Sequence, residues 1–112
     1  MKKVAVIGKI HEDGRKILKD SNFSIIDIPD FLNNIIDELK FVDAIAVRTA
    51  NLSEEVLKEC KSLKIVARHG VGYDTVDLDY LNRKNIALAI TGSANAATVA
   101  EHVMSMFLNL CK

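Results

Sequence analysis

The sequence predicts a doubly wound α/β domain: a parallel five-stranded sheet with helices on both faces, in the flavodoxin-like order 2-1-3-4-5. Three observations lead there. Short apolar runs at residues 3–8, 23–28, 43–47, 64–67 and 86–90 read as buried strands. Segments with helical spacing or helix-start signals lie between them, and strand–helix alternation implies parallel pairing through right-handed crossovers. The chain has 112 residues, 49% of them apolar, which suits one domain with a modest core, spanning 1–112.

The first strand, 3–8, is compact and closes on Gly8. Residues 10–20 place Ile10, Ile17 and Leu18 on one side among charges, a surface helix. The second strand is ended by Pro29, and residues 31–40 set Leu32, Ile35, Ile36 and Leu39 at helical spacing. After the third strand, Ser53-Glu54-Glu55 offers a hydroxyl cap followed by two carboxylates near the positive end of a helix. The fourth strand runs into Arg68, His69 and a break at Gly70 and Gly72. Asp77 then reads as the N-cap of a short helix ending at Arg83-Lys84, with Asn85 as its stop. The fifth strand leads into a long helix over 95–110.

That last helix has an unusual surface. Thr98, Glu101, His102, Ser105 and Asn109 form one narrow polar stripe, and apolar residues fill the rest. So wide an arc does not suit a helix lying on a monomer surface. It implies cover from another chain, as in a homodimer through the 95–110 helix, or from a further part of the same protein.

Bulk properties exclude several classes. Fifteen basic and fifteen acidic residues leave a formal net charge of zero, which gives no support to nucleic-acid or membrane-surface binding. No apolar run is long enough to span a bilayer, and MKKVAVIGK is too short for a secretion signal, so a cytoplasmic location is expected. Cys60 and Cys111 form no metal-ligand spacing and read as reduced structural thiols.

In an open parallel sheet, ligands bind beyond the carboxyl ends of the strands. The segments there are 8–11, 48–51, 68–75 and 91–95. Of these the stretch LKIVARHGVGYDTVD, 63–77, is the most telling, because a strand, a glycine turn and a helix start make an anion site. It is not a dinucleotide fingerprint: the third glycine of G-x-G-x-x-G falls on Thr75, and the acid expected near position 90 is Ile90. No phosphate-loop motif occurs, and Gly8-Lys9-Ile10 and Arg48 stand where a phosphoacceptor receiver needs acids. GKIHEDG lacks the hydroxyls of a flavin mononucleotide loop.

Arg48 is placed to fork onto a carboxylate or phosphate, or else to pair with Glu54 or Glu55. Arg68 is a site cation or a partner for Asp74 or Asp77. His69 contacts a ligand or shapes the turn; His102 is a surface or interface histidine; Asn95 caps the last helix, with a ligand contact as a second role. No Ser/His/Asp or Cys/His set, metal cluster or carboxylate pair can be assembled.

Two stretches carry a resemblance. VDAIAVRTANLSEEVLKECKSLKIVARHGVGYDTVD and ARHGVGYDTVDLDYLNRKNIALAITGSANAATVAEHVMSMFLNL together resemble the NAD-dependent D-2-hydroxyacid dehydrogenases, the group that includes D-3-phosphoglycerate dehydrogenase. The resemblance implies an N-terminal substrate domain of flavodoxin-like fold, and hydride exchange between a small 2-hydroxy or 2-oxo acid and NAD by the whole enzyme. It implies that the backbone of Gly70-Val71-Gly72 faces the substrate carboxylate and that Arg48 reaches the substrate's acidic end. Asn95 and Thr98 then lie on the cleft-facing helix, and Val71, Thr98 and Val99 touch the cofactor. Gly92 departs from the family's usual proline and loosens that loop. The family's Rossmann domain, its catalytic arginine, glutamate and histidine, and the segment that returns to complete the substrate domain have no counterpart in these residues. The isolated chain is therefore expected to be inactive. The competing expectation is a stand-alone homodimeric module that binds small acids without catalysis.

Overall fold

A computed structural model describes residues 1–29, 36–70, 72 and 74–111. Strands β1 (Lys3–Ile7), β2 (Ser24–Ile28), β3 (Ala44–Val47), β4 (Ile65–Arg68) and β5 (Ala87–Ile90) form one sheet. All four pairings are parallel and the order is β2-β1-β3-β4-β5, as expected from the sequence. The helices are α1 (Glu12–Asp20), α2 (Ile36–Leu39), α3 (Glu54–Leu57), α4 (Leu78–Arg83) and α5 (Ala96–Leu110). The first part of the helix expected over 31–40 lies outside the described residues.

Side chains alternate across a pleated sheet, so the register assigns each residue to a face. Ala5, Ile7, Ile45, Val47 and Val66 share one face, where they pack with Leu39 of α2, Leu57 of α3 and Tyr80 and Leu81 of α4. This is the main core. Burying a leucine fully contributes about 1.5–3 kcal/mol, and Leu39, Leu57 and Leu81 are all buried. The opposite face is treated differently along its width. Val4 and Val6 are buried there, in the part flanked by α1, while among the described residues no helix covers the face of β3, β4 and β5, where Ile65, Ala67, Ala87 and Ala89 are exposed.

Every described residue of α5 is exposed. The helix stands off the sheet, which gives the molecule extents of 56 × 32 × 26 Å and a radius of gyration of 16.5 Å. A compact chain of this length has a radius near 13 Å. The wide apolar arc read from the sequence is thus uncovered.

Helix ends follow local chemistry only in part. The Asp77 carboxylate accepts from the Tyr80 N–H at 3.0 Å, as expected of an N-cap. Asn85 takes a left-handed conformation (φ 56°) after α4 and stops it. Ser53 occupies the N-cap of α3, but its hydroxyl makes no capping bond; its carbonyl accepts from Val56 and Leu57 instead. Asn95 behaves likewise, its carbonyl accepting from the Val99 N–H at 3.0 Å while its side chain caps nothing. The cap of α1 is His11, whose Nδ1 accepts from the Asp13 N–H at 3.2 Å. On α1 the side nearest the sheet is Gly14, Arg15 and Leu18, whereas Ile17 is 66% exposed. The reach of Arg15 to Asp27 on β2 goes with that rotation, and Ile17 does not share the inward side with Leu18.

Candidate functional site

The glycine turn sits at the carboxyl edge of the sheet, between the ends of β3 and β5. The His69 N–H donates to the Val47 carbonyl at 2.7 Å, and the Thr91 N–H donates to the Gly70 carbonyl at 3.0 Å. These two bonds set the segment after β4 beside Arg48 on one flank and Thr91 on the other. A second tie lies farther along the loops. The Leu52 N–H donates to the Thr75 carbonyl at 2.8 Å, and the Asp77 N–H returns to the Leu52 carbonyl at 3.0 Å. The loop after β3 and the loop after the glycine turn are therefore fastened to each other, with Leu52 and Val76 buried between them.

Gly70 has φ +145°, a backbone conformation that side chains strongly disfavour. The space a Cβ would take there is held by the Arg68 guanidinium. Arg68 folds back over the turn, its Nη1 donating to the His69 carbonyl at 3.2 Å. Its Nε is buried with no hydrogen-bond partner among the described residues. Neither Asp74 nor Asp77 pairs with it. The glycine at 70 thus admits a side chain of the protein itself, while Gly72 is exposed and is the more open of the two.

Arg48 is exposed and makes no ion pair among the described residues. The surface alternative suggested by the sequence fails at Glu54, which is held by Arg83 at 3.2 Å; Arg83 also lies over the Tyr80 ring, 5.5 Å from its centre. Arg48, His69, Gly70 and Gly72 are brought to one end of the sheet. Asn95 follows β5 at that same edge, and Thr98 and Val99 lie exposed on the first turns of α5. His102 lies farther along α5, also exposed. Val71 is outside the described residues.

A guanidinium is a group that forks onto a carboxylate or phosphate, and the acid nearest Gly72 is Asp74, whose Oδ1 lies 3.1 Å from where a Cβ on that glycine would sit. No group of three or more metal-ligating side chains occurs among the described residues. Cys60 is buried, its Sγ set 3.5 Å from the Val56 carbonyl, and burial pushes its thiol up to about 11. Cys111 is exposed rather than structural.

One arrangement at this edge was not legible in the sequence. Arg15 grips Asp27 with both terminal nitrogens, Nη2 to Oδ2 at 2.8 Å, on the wall of an open cleft of ≈ 530 Å³ beside Gly8 and Lys9. The Arg15 guanidinium holds the Asp27 carboxyl below its usual range. Only the fold brings α1 and β2 together, and no local motif announces the pair.

Comparison with known proteins defines the class. Residues 4–106 match the family model for the D-isomer specific 2-hydroxyacid dehydrogenase catalytic domain, and the chain belongs to that family. The D-3-phosphoglycerate dehydrogenase of Bacillus subtilis (strain 168) is 33% identical over 113 residues, covering 100% of this chain and 21% of that protein. Among solved structures, the NAD+-bound 3-phosphoglycerate dehydrogenase of Entamoeba histolytica superposes with a TM-score of 0.81 at 28% identity, over 95% of this chain and 38% of that one. The Aquifex aeolicus D-lactate dehydrogenase complexed with NAD and lactic acid gives 0.79 at 32% identity, over 96% and 33%. The chain spans only 21–37% of the length of the first curated relatives it matches. No helix among the described residues is long and apolar enough to cross a membrane.

Proposed function

We propose that residues 1–112 are the substrate domain of a cytoplasmic NAD-dependent D-2-hydroxyacid dehydrogenase, and that their share of the work is to hold the acid. The observation that carries this is the placement of an uncommitted Arg48 beside the glycine turn at the carboxyl edge of the sheet. In this reading the guanidinium and the N–H groups of the turn fix the negative end of a small 2-hydroxy or 2-oxo acid, and Arg48 suits a carboxylate or a phosphate equally. Val71 and Gly72 supply backbone contacts, and Asn95 reaches the same ligand.

A pyrophosphate is favoured at a helix N-terminus and opposed by acids there. The helices α1, α2, α3 and α4 carry acids in their first turn, Glu12 and Asp13, Asp37 and Glu38, Glu54 and Glu55, and Asp79. The first turn of α5 carries none, but no G-x-G-x-x-G precedes it. NAD is accordingly assigned to a part of the enzyme outside these residues, with Val71, Thr98 and Val99 as contacts at most. The relatives named above as NAD complexes are longer chains, which supports the division.

The test is a titration of the purified chain with 2-hydroxy and 2-oxo acids, phosphorylated and not, followed by backbone amide shifts. Shifts centred on residues 69–72, lost in Arg48→Gln, are expected, with no NADH oxidation. Turnover of NADH by the chain alone, or acid-induced shifts elsewhere, overturns the assignment. The exposed apolar arc of α5 favours a second property: association of two copies through this helix.

A further inference from the structure

We infer that Arg68 is a positioning residue for the acid: it holds the peptide unit between His69 and Gly70 in the orientation that presents the Gly70 N–H to the ligand. This rests on the acid-binding reading proposed above and names what keeps the turn in its binding form.

Three consecutive peptide units begin the turn, and each is tied differently. The unit between Arg68 and His69 is fixed from the β3 side, its N–H donating to the Val47 carbonyl at 2.7 Å. The unit after Gly70 is fixed from the β5 side, its carbonyl accepting from the Thr91 N–H at 3.0 Å. The unit between them has no main-chain tie among the described residues. What holds it is the Arg68 guanidinium, whose Nη1 donates to the His69 carbonyl at 3.2 Å. In a trans peptide the carbonyl and the N–H point in opposite directions. With the His69 carbonyl turned to the guanidinium, the Gly70 N–H therefore points away from it, and no acceptor among the described residues meets it.

Without that bond the middle unit is free to turn over. A peptide flip changes ψ of His69 and φ of Gly70 together, and glycine accepts either hand of φ. Gly70 thus permits the observed φ of +145° but does not enforce it. Arg68 does. Its guanidinium fills the space of the missing Cβ, and neither Asp74 nor Asp77 draws it away. Its Nε is buried without a partner among the described residues, a cost of the kind that persists where a site requires the arrangement. The bond also acts electrically. A cation on the carbonyl polarises the peptide and strengthens the N–H on its far side as a donor. Asp74 stands at the other end of the turn, by Gly72, so of the two glycines Gly70 is the one set beside a cation.

The test titrates the chain with D-lactate, a monoanion, and with D-3-phosphoglycerate, which adds a phosphate, and follows backbone amide shifts. Arg68→Ala should weaken both acids by the same factor, about tenfold, the scale of one hydrogen bond from a charged group. At saturation the ligand-induced shift at Gly70 should be lost while those beside Arg48 remain. Arg68→Lys, which keeps a cationic donor on a long stem, should recover most of the affinity. A role in stability alone would move the urea midpoint and leave both dissociation constants unchanged. Should Arg68→Ala lose its fold by circular dichroism, Arg68→Met, which keeps an apolar stem, takes its place. Unchanged affinity, with binding still abolished by Arg48→Gln, overturns the positioning role and leaves the acid site standing. A loss many times larger for the phosphorylated acid also overturns it, because Arg68 would then grip the ligand directly. A parent chain that binds neither acid overturns both.

Discussion

Gly70→Ala probes the glycine turn through two separable costs. The new Cβ falls where the Arg68 guanidinium lies, and it must do so at a φ of +145°. Holding a non-glycine residue in such a sparsely populated region costs about 1–3 kcal/mol. The guanidinium is the far end of a flexible side chain and can swing aside, but it then gives up its bond to the His69 carbonyl, worth about 1 kcal/mol. The expected loss is about 2–4 kcal/mol by urea denaturation, or a fall of about 8–16 °C in Tm at roughly 4 °C per kcal/mol for a domain of this size. Arg68→Ala alone should cost about 1 kcal/mol. The double variant should recover the contact cost and keep the backbone cost, leaving a coupling near 1 kcal/mol. A single variant within 0.5 kcal/mol of the parent would refute the reasoning, because the turn would then relax freely. So would a double variant as stable as Arg68→Ala, because the backbone angle would then carry no cost.

Three further outcomes follow from the same structure. Asp77→Ala removes the carboxylate that accepts from the Tyr80 N–H and should cost about 0.5–2 kcal/mol in urea melts, with Asp77→Asn recovering most of it. A colorimetric thiol reagent should titrate Cys111 at once and Cys60 only after denaturation, since the first is exposed and the second buried; prompt reaction of both would contradict the packing of α3. The Asp43 carboxyl is held low by the Lys3 backbone N–H and by Lys2, and that of Asp27 by Arg15. Their contribution to stability is therefore full above the unfolded value of 3.8 and is lost as pH falls through the lower folded values. Melting temperature should drop over that acid range, and less steeply in Asp43→Asn.

The strand order was legible because alternation and crossover rules leave few topologies, and five apolar runs with turn signals marked the strands. The cap at Asp77 and the stop at Asn85 were legible because both act on neighbours in sequence. Ser53 and Asn95 show the limit of that logic: each takes the expected position, but the preceding loop aims its side chain elsewhere and the carbonyl does the capping. Arg68 was read as a partner for an acid and instead covers its own turn, which depends on a φ angle that the sequence does not reveal. The bare alanine face was also hidden. A strand with apolar residues on both sides is the usual mark of a parallel sheet buried on both faces, and nothing local distinguishes a covered strand from one awaiting cover.

Charge allocation explains why the candidate site lies at the glycine turn rather than at the neighbouring cleft. The chain carries as many acids as bases, so which cations stay free depends on where the fold places the acids. Asp27 is taken by Arg15, Asp43 by Lys2 and Glu54 by Arg83. The cleft beside Gly8 thus has its arginine neutralised by its own wall. At the ends of β3 and β4 the allocation runs the other way. Arg83 removes Glu54 from the reach of Arg48, and Arg68 turns onto a carbonyl instead of onto Asp74 or Asp77. Two guanidinium groups are left at the glycine turn, with no carboxylate bonded to either among the described residues. A chain of zero net charge thereby keeps two guanidinium groups without carboxylate partners at one edge of the sheet, and the loops around them are tied together by the Leu52–Thr75 and Leu52–Asp77 bonds.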